Sequence, residues 1–89
     1  MEIAAALHEV EHQREREALM RDTLVPELAA LIAVEERAFA AGESVLFRVL
    51  EARRRGLDVE RRLVDARRDR SWAEVELWLL LATLAEDDS

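Results

Sequence analysis

Two histidines near the start of the chain have the spacing best suited to chemistry. The run His8-Glu9-Val10-Glu11-His12 matches the H-E-x-x-H pattern, in which two histidines four residues apart on a helix hold one zinc ion and the glutamate acts as a base. A catalytic zinc needs a third protein ligand, and here Glu36 would have to reach in from beyond Pro26. In a chain so rich in glutamate the pattern is more typical of a solvated helix face. Adventitious metal binding by His8 and His12 stays open as an alternative.

No other group of residues supports catalysis. Glu35 and Glu36 are adjacent, so their side chains diverge by about 100° on a helix. With two glycines and no cysteine, the chain offers neither a glycine-rich phosphate loop nor thiol chemistry. Ser44 and Ser71 have no histidine beside them in the fold predicted below. We therefore expect no enzymatic activity and no cofactor.

The charge distribution argues against nucleic acid as a partner. The net charge is -7, and the only basic stretch, residues 44–70, holds nine arginines interleaved with five acids. Interleaving of this kind is typical of a solvated helix face with pairs at i,i+4. The start of the chain lacks the basic and apolar regions of a signal peptide, and no apolar run reaches the ~20 residues of a membrane-spanning helix. We expect that this segment does not itself cross a membrane.

The elements that would position these residues form one helical hairpin spanning residues 1–89. Gly42 can adopt the left-handed conformation that ends a helix, and Ser44 is a good cap for the next one. Pro26 lacks a backbone donor and disfavours helix at the residue before it, which predicts a kink or a brief break. The predicted boundaries in chain order are helix 2–23, kink 23–26, helix 26–41, turn 42–44 and helix 45–85.

The second helix carries an apolar seam whose spacing alternates between three and four residues. Its positions are Val49, Ala52, Gly56, Val59, Leu63, Ala66, Arg70, Ala73, Leu77, Leu80 and Leu84. This periodicity predicts an all-α fold, a long antiparallel coiled-coil hairpin. In the first helix, Leu28, Leu31, Val34 (or Glu35) and Ala38 continue the facing stripe to the turn. When the chain folds back at Gly42, Glu17 faces Arg70, and we expect the two to pair.

A second apolar stripe lies beside the seam, at Leu50, Leu57, Val64 and Trp78. One seam is enough for one partner helix, so the second stripe predicts a further neighbour and hence self-association. Trp72 and Trp78 are expected to be packing residues rather than a ligand platform.

The turn resembles a recurring signature of TolC-type outer membrane efflux proteins. The matching residues are Phe39, Gly42, Glu43, Ser44, Leu46, Val49, Leu50, Ala52 and Arg53. Upstream, Leu24-Val25-Pro26 is similar to the heavy-metal and cation efflux branch. Downstream, the alanine-rich stretch 66–84 also resembles the family. The likeness covers nearly the whole chain.

The resemblance implies a role in a trimeric channel with a periplasmic helical tunnel, exporting metal cations or drugs, as in metal resistance. Gly42, Glu43 and Ser44 would form the tip that contacts a periplasmic adaptor protein. Phe39, Leu46, Val49 and Ala52 would pack behind that tip. The chain has no barrel strands and a single hairpin where the family has two, so it would be a periplasmic part of such a channel. The alternative is an independent helical oligomerisation module with no transport role.

Overall fold

The chain is helical almost from end to end. A computed structural model describes residues 2–87. Helix α1 spans Ile3–Leu19, a π-helical turn spans Met20–Leu24, helix α2 spans Val25–Ala40, and helix α3 spans Leu46–Asp87. The prediction of an all-helical, elongated molecule is confirmed, since the chain measures 71 × 15 × 14 Å. Within residues 2–87 no helix is long and apolar enough to cross a membrane.

The chain doubles back after α2, so that α1 and α2, together called the first arm, lie alongside α3. Ion pairs join the two in reversed order: Arg14 contacts Glu74 near the open end, and Glu36 contacts Arg53 towards the turn. At a rise of 1.5 Å per residue, the 42 residues of α3 extend about 63 Å, most of the length of the molecule. The cross-section is therefore that of two helices side by side.

The backbone stays helical at the predicted interruption. The π-helical turn precedes Pro26, and Leu24 and Val25 both have right-handed helical dihedrals. Proline clashes with the carbonyl four residues back in an α-helix, and a π turn relieves this by widening the preceding turn. The expected break is therefore replaced by one extra residue within a turn, while a bend of the helix axis stays a prediction.

The extra residue rotates the rest of the first arm by one position. Leu28 and Glu35 turn towards α3, whereas Glu27 is exposed and Val34 is 51% exposed. Of the two candidates at this point of the stripe, the structure selects Glu35, and the expectation for Val34 is wrong. The π turn thus places a carboxylate at a seam position near the turn.

The interface between the arms is built from small side chains. Six predicted seam positions of α3 are buried, namely Val49, Ala52, Gly56, Leu63, Ala66 and Ala73. On the first arm, Ala6 and Val10 are buried near the open end, and Val10 is the largest side chain that is fully buried. A Cβ on Gly56 would lie 2.9 Å from Cδ1 of Ile32, so the helices approach closely there.

The large apolar side chains, in contrast, lie on the surface. Phe47, Trp78 and Trp72 are 71%, 66% and 63% exposed. Neither tryptophan is packed within the single hairpin, because neither occupies the seam between the arms, and their packing against a neighbour stays a prediction. Among residues 2–87 the hairpin buries the small residues of its seam and presents its aromatic rings to its surroundings.

Candidate functional site: the hairpin tip and the polar seam

The tip begins where α2 ends, in a glycine-terminated helix cap. Gly42 has a φ of 74°, in the left-handed region. Its N–H donates to the carbonyl of Phe39 at 3.0 Å, and the N–H of Glu43 donates to the carbonyl of Ala38 at 2.8 Å. These two bonds define a Schellman motif, which satisfies carbonyls that the end of a helix leaves without partners. The turn is thus fixed by backbone bonding around Gly42.

A buried carboxylate ties the tip to both arms. The hydroxyl of Ser44 donates to Oε2 of Glu35 at 3.2 Å, and Nη2 of Arg48 lies 3.3 Å from Oε1 of the same carboxylate. The Glu35 side chain is only 12% exposed. We name these three residues the tip lock. Because hydrogen bonds to a charged group are stronger than those between neutral groups, the tip lock restrains the loop as it enters α3.

The tip lock revises the expected role of Ser44. Helix α3 begins at Leu46, so Ser44 lies outside the position that caps a helix, and its hydroxyl faces back to Glu35. Gly42 and Glu43 are exposed, and Ser44 is half-buried. Glu43 has no side-chain partner among residues 2–87. Of the three predicted tip residues, Glu43 therefore offers the free charge.

The residues expected to pack behind the tip divide into two pairs. Val49 and Ala52 are buried between the arms. Phe39 is 44% exposed and Leu46 is 51% exposed, so both present apolar surface beside the turn. The tip is thus a polar turn flanked by two exposed apolar side chains.

The structure brings Glu17 and Arg70 together in the middle of the hairpin. Nε of Arg70 donates to Oε2 of Glu17 at 2.7 Å, and Nη2 lies 3.5 Å from Oε1. Arg70 also donates to Glu74 at 3.3 Å, and Arg67 lies 3.7 Å from Glu17. The hydrogen bond from Arg70 holds the pKa of the Glu17 carboxyl below its ordinary value, and the charges of Arg70, Arg21 and Arg67 act in the same direction, against the effect of burial.

A second pair reinforces the register of this pairing. Nη1 of Arg16 donates to Oδ2 of Asp69 at 2.8 Å, one residue from the Glu17–Arg70 pair on each helix. A one-residue slip would carry both arginines away from their acids. The polar layer thus favours one alignment of the two arms.

The two histidines lie on the exposed surface of α1. His8 is 88% exposed in its side chain, and its Nδ1 lies 4.0 Å from Glu11. Glu9 accepts a hydrogen bond from Gln13 at 2.7 Å, and Glu36 binds Arg53 at 2.6 Å, so neither is directed at the histidines. Within residues 2–87 no group of three metal-ligating side chains is found. The geometry is that of a solvated helix face.

Reasoning from the sequence missed the tip lock. Glu35 appeared there as an alternative to Val34 and as a neighbour of Glu36, never as a residue of the tip, and Arg48 was not singled out. The available signal was the proline, whose accommodation adds a residue to the first arm and so turns Glu35 inward.

Comparisons with models of known protein families, with curated proteins and with solved structures find no match to this chain.

Proposed function

We propose that the chain is a periplasmic hairpin of a TolC-type outer membrane efflux channel and that it acts by docking. In this proposal the tip at Gly42, Glu43 and Ser44 contacts a periplasmic adaptor protein, and copies of the hairpin pack side by side as antiparallel coiled coils. The exported substrate would be a metal cation or a drug. The chain would have a structural role without catalysis.

One observation carries the proposal: the residues that resemble the efflux signature coincide with the end of the hairpin. Gly42 forms the left-handed turn, and Glu43 and Phe39 are exposed on either side of it. If the resemblance rested on helical periodicity alone, the matching residues would not be expected to cluster at this turn. The tip lock adds support, since a restrained loop loses less conformational entropy when it binds a partner.

The test is binding of the chain to the helical hairpin of a periplasmic adaptor from a metal efflux system. Glu43→Arg reverses the exposed charge at the tip without breaking a contact within the chain, so we expect binding to weaken about tenfold. Glu27→Arg is the matched control, because Glu27 is also exposed but lies in the first turn of α2. Equal binding by the parent and both variants would rule out docking through the tip.

A second candidate is an independent helical oligomerisation module. It is favoured by the distribution of apolar side chains, since the small residues of the seam are buried whereas Phe47, Trp72 and Trp78 are exposed. Exposed apolar surface of this kind is typical of an interface. A chain that self-associates but binds no adaptor hairpin would favour the module over the efflux segment.

A further inference from the structure

The side of α3 that faces away from the first arm carries a second continuous seam. This seam consists of the residues reached from Phe47 by alternating steps of three and four, as far as Ala85. All of them are exposed except Ala82, which is half-buried. We name this the outer face of α3. Its large apolar members are Phe47, Leu50, Leu57, Val64, Val75 and Trp78, each at least 43% exposed. The face therefore has the periodicity of a helix-packing surface over the whole length of α3.

The only charged residues on the outer face of α3 are arginines. Arg54, Arg61 and Arg68 recur at intervals of seven, and the face contains no acid. Arg54 and Arg68 bind acids of their own helix. Arg61 has no ion-pair partner among residues 2–87. The face is thus large, apolar and basic.

The opposite side of the molecule has the complementary character. The outer face of the first arm, directed away from α3, follows the same spacing from Ala4 to Ala40 once the π turn is taken into account. Its small members are Ala4, Ala18, Ala29, Ala33 and Ala40. Its acidic members are Glu11, Glu15 and Asp22, of which Asp22 also binds its neighbour Arg21, and it contains no arginine. This face is small and acidic where the outer face of α3 is large and basic.

We propose that the outer face of α3 packs against the outer face of the first arm of a second copy of this chain. The contact is head-to-tail, so every copy uses one face of each kind and the contact repeats from copy to copy. The large side chains then face a surface rich in alanine, and Arg61 and Arg68 face acids. Pairing two outer faces of α3 would instead bring arginines together, and pairing two first arms would bring acids together. The inference rests on the self-association part of the proposed function.

The spacing of the charges sets the alignment of the two copies. Arg61 and Arg68 are seven residues apart, as are Glu15 and Asp22. Antiparallel helices therefore pair Arg61 with Asp22 and Arg68 with Glu15 at the same time. Within one hairpin, facing residues such as Glu17 and Arg70 have numbers that sum to 87. The numbers of the proposed pairs between copies sum to 83, so the second copy is shifted by four residues. At 1.5 Å per residue, two copies pointing the same way are displaced lengthwise by only about 6 Å.

The test uses charge reversal and mixing, followed by sedimentation equilibrium of the full chain. The α3 variant carries Arg61→Glu and Arg68→Glu, and the arm variant carries Glu15→Arg and Asp22→Arg. The control carries Arg55→Glu and Arg62→Glu, which have the same spacing and charge but lie on the side of α3. Two exposed ion pairs turned into repulsions should weaken self-association about tenfold or more in each face variant. The control should stay within about threefold of the parent.

Mixing separates a lost interface from a lost fold. An equimolar mixture of the α3 variant and the arm variant regains complementary charges at every contact, so association should return to near the parental strength. A mixture that stays dissociated, or a control as weak as the face variants, would overturn the inference while leaving self-association intact. A parent that remains a single 10.2 kDa species would overturn the inference and the self-association together. Docking at the tip would still be judged by its own binding test.

Discussion

The closest approach of the two arms, at Gly56, yields a quantitative prediction. Replacing a glycine in a helix interior with alanine stabilises the helix by about 1 kcal/mol. Here the new Cβ would lie 2.9 Å from Cδ1 of Ile32, well inside ordinary van der Waals contact. Since Cδ1 ends a flexible and partly exposed side chain, Ile32 can rotate away at about 0.5–1.5 kcal/mol. The two effects offset each other, so Gly56→Ala alone should change the free energy of unfolding by less than about 0.5 kcal/mol.

Removing the obstructing atom should reveal the hidden gain. Ile32→Val deletes Cδ1 and by itself should destabilise the chain by about 0.5 kcal/mol, the lower end for this change because the site is partly exposed. In the double variant the clash is absent and the helix gain of about 1 kcal/mol is realised, so the chain becomes about 0.5 kcal/mol more stable than the parent. The non-additive part of the cycle is then about 1 kcal/mol.

Urea denaturation followed by circular dichroism at 222 nm measures all four chains at one protein concentration, since association contributes to apparent stability. The reasoning would be refuted by strict additivity. If Gly56→Ala alone gives the full gain and Ile32→Val costs the same with and without it, the arms do not meet closely at this point.

Three further outcomes are expected. Gly42→Ala should destabilise the hairpin by about 1 kcal/mol in the same assay, since a Cβ there meets no atom but the φ of 74° is strained for alanine; an unchanged midpoint would mean that the turn has another conformation. Glu35→Ala should speed hydrogen exchange of the amides around Ser44 without affecting the open end, because it removes the acceptor for both Ser44 and Arg48. If these amides exchange equally fast in the variant and the parent, the tip lock does not form. The stability contributed by Glu17 should be present at neutral pH and be lost as the pH falls through the lowered pKa of its carboxyl. Glu17→Gln should lack this loss. If the free energy of unfolding falls with pH equally in the variant and the parent, Glu17 is not paired in the fold.

Much of the seam could be predicted from residue spacing, because small and apolar residues at three-and-four intervals along a helix favour close packing of a second helix there. The same arithmetic aligned Glu17 with Arg70, since a hairpin closing at Gly42 fixes which residues lie opposite each other. These inferences depend on the spacing of residues within each helix, which does not change when a helix end is misplaced by one or two residues.

What could not be predicted depends on a single residue of register. The sequence signalled disturbance at Pro26, but a break and a π turn both relieve the proline, and only the latter rotates Glu35 inward in place of Val34. The roles of Ser44 and Arg48 follow from that rotation. The second stripe predicted that Trp78 needs a neighbour beyond the facing arm, and the exposure of Trp72 and Trp78 in the single hairpin leaves open to test which molecule covers them.

The most direct test of the account is a distance between the two ends of the hairpin. Because the chain has no cysteine, spin labels can be attached at Ala5→Cys and Ala85→Cys, both exposed positions, and measured by double electron–electron resonance with excess unlabelled chain present. The account predicts a separation comparable to the 15 Å width of the molecule plus the reach of the two labels, unchanged on dilution. A separation near the ~120 Å of one continuous helix, or a short distance that vanishes on dilution with unlabelled chain, would contradict a hairpin closed at Gly42.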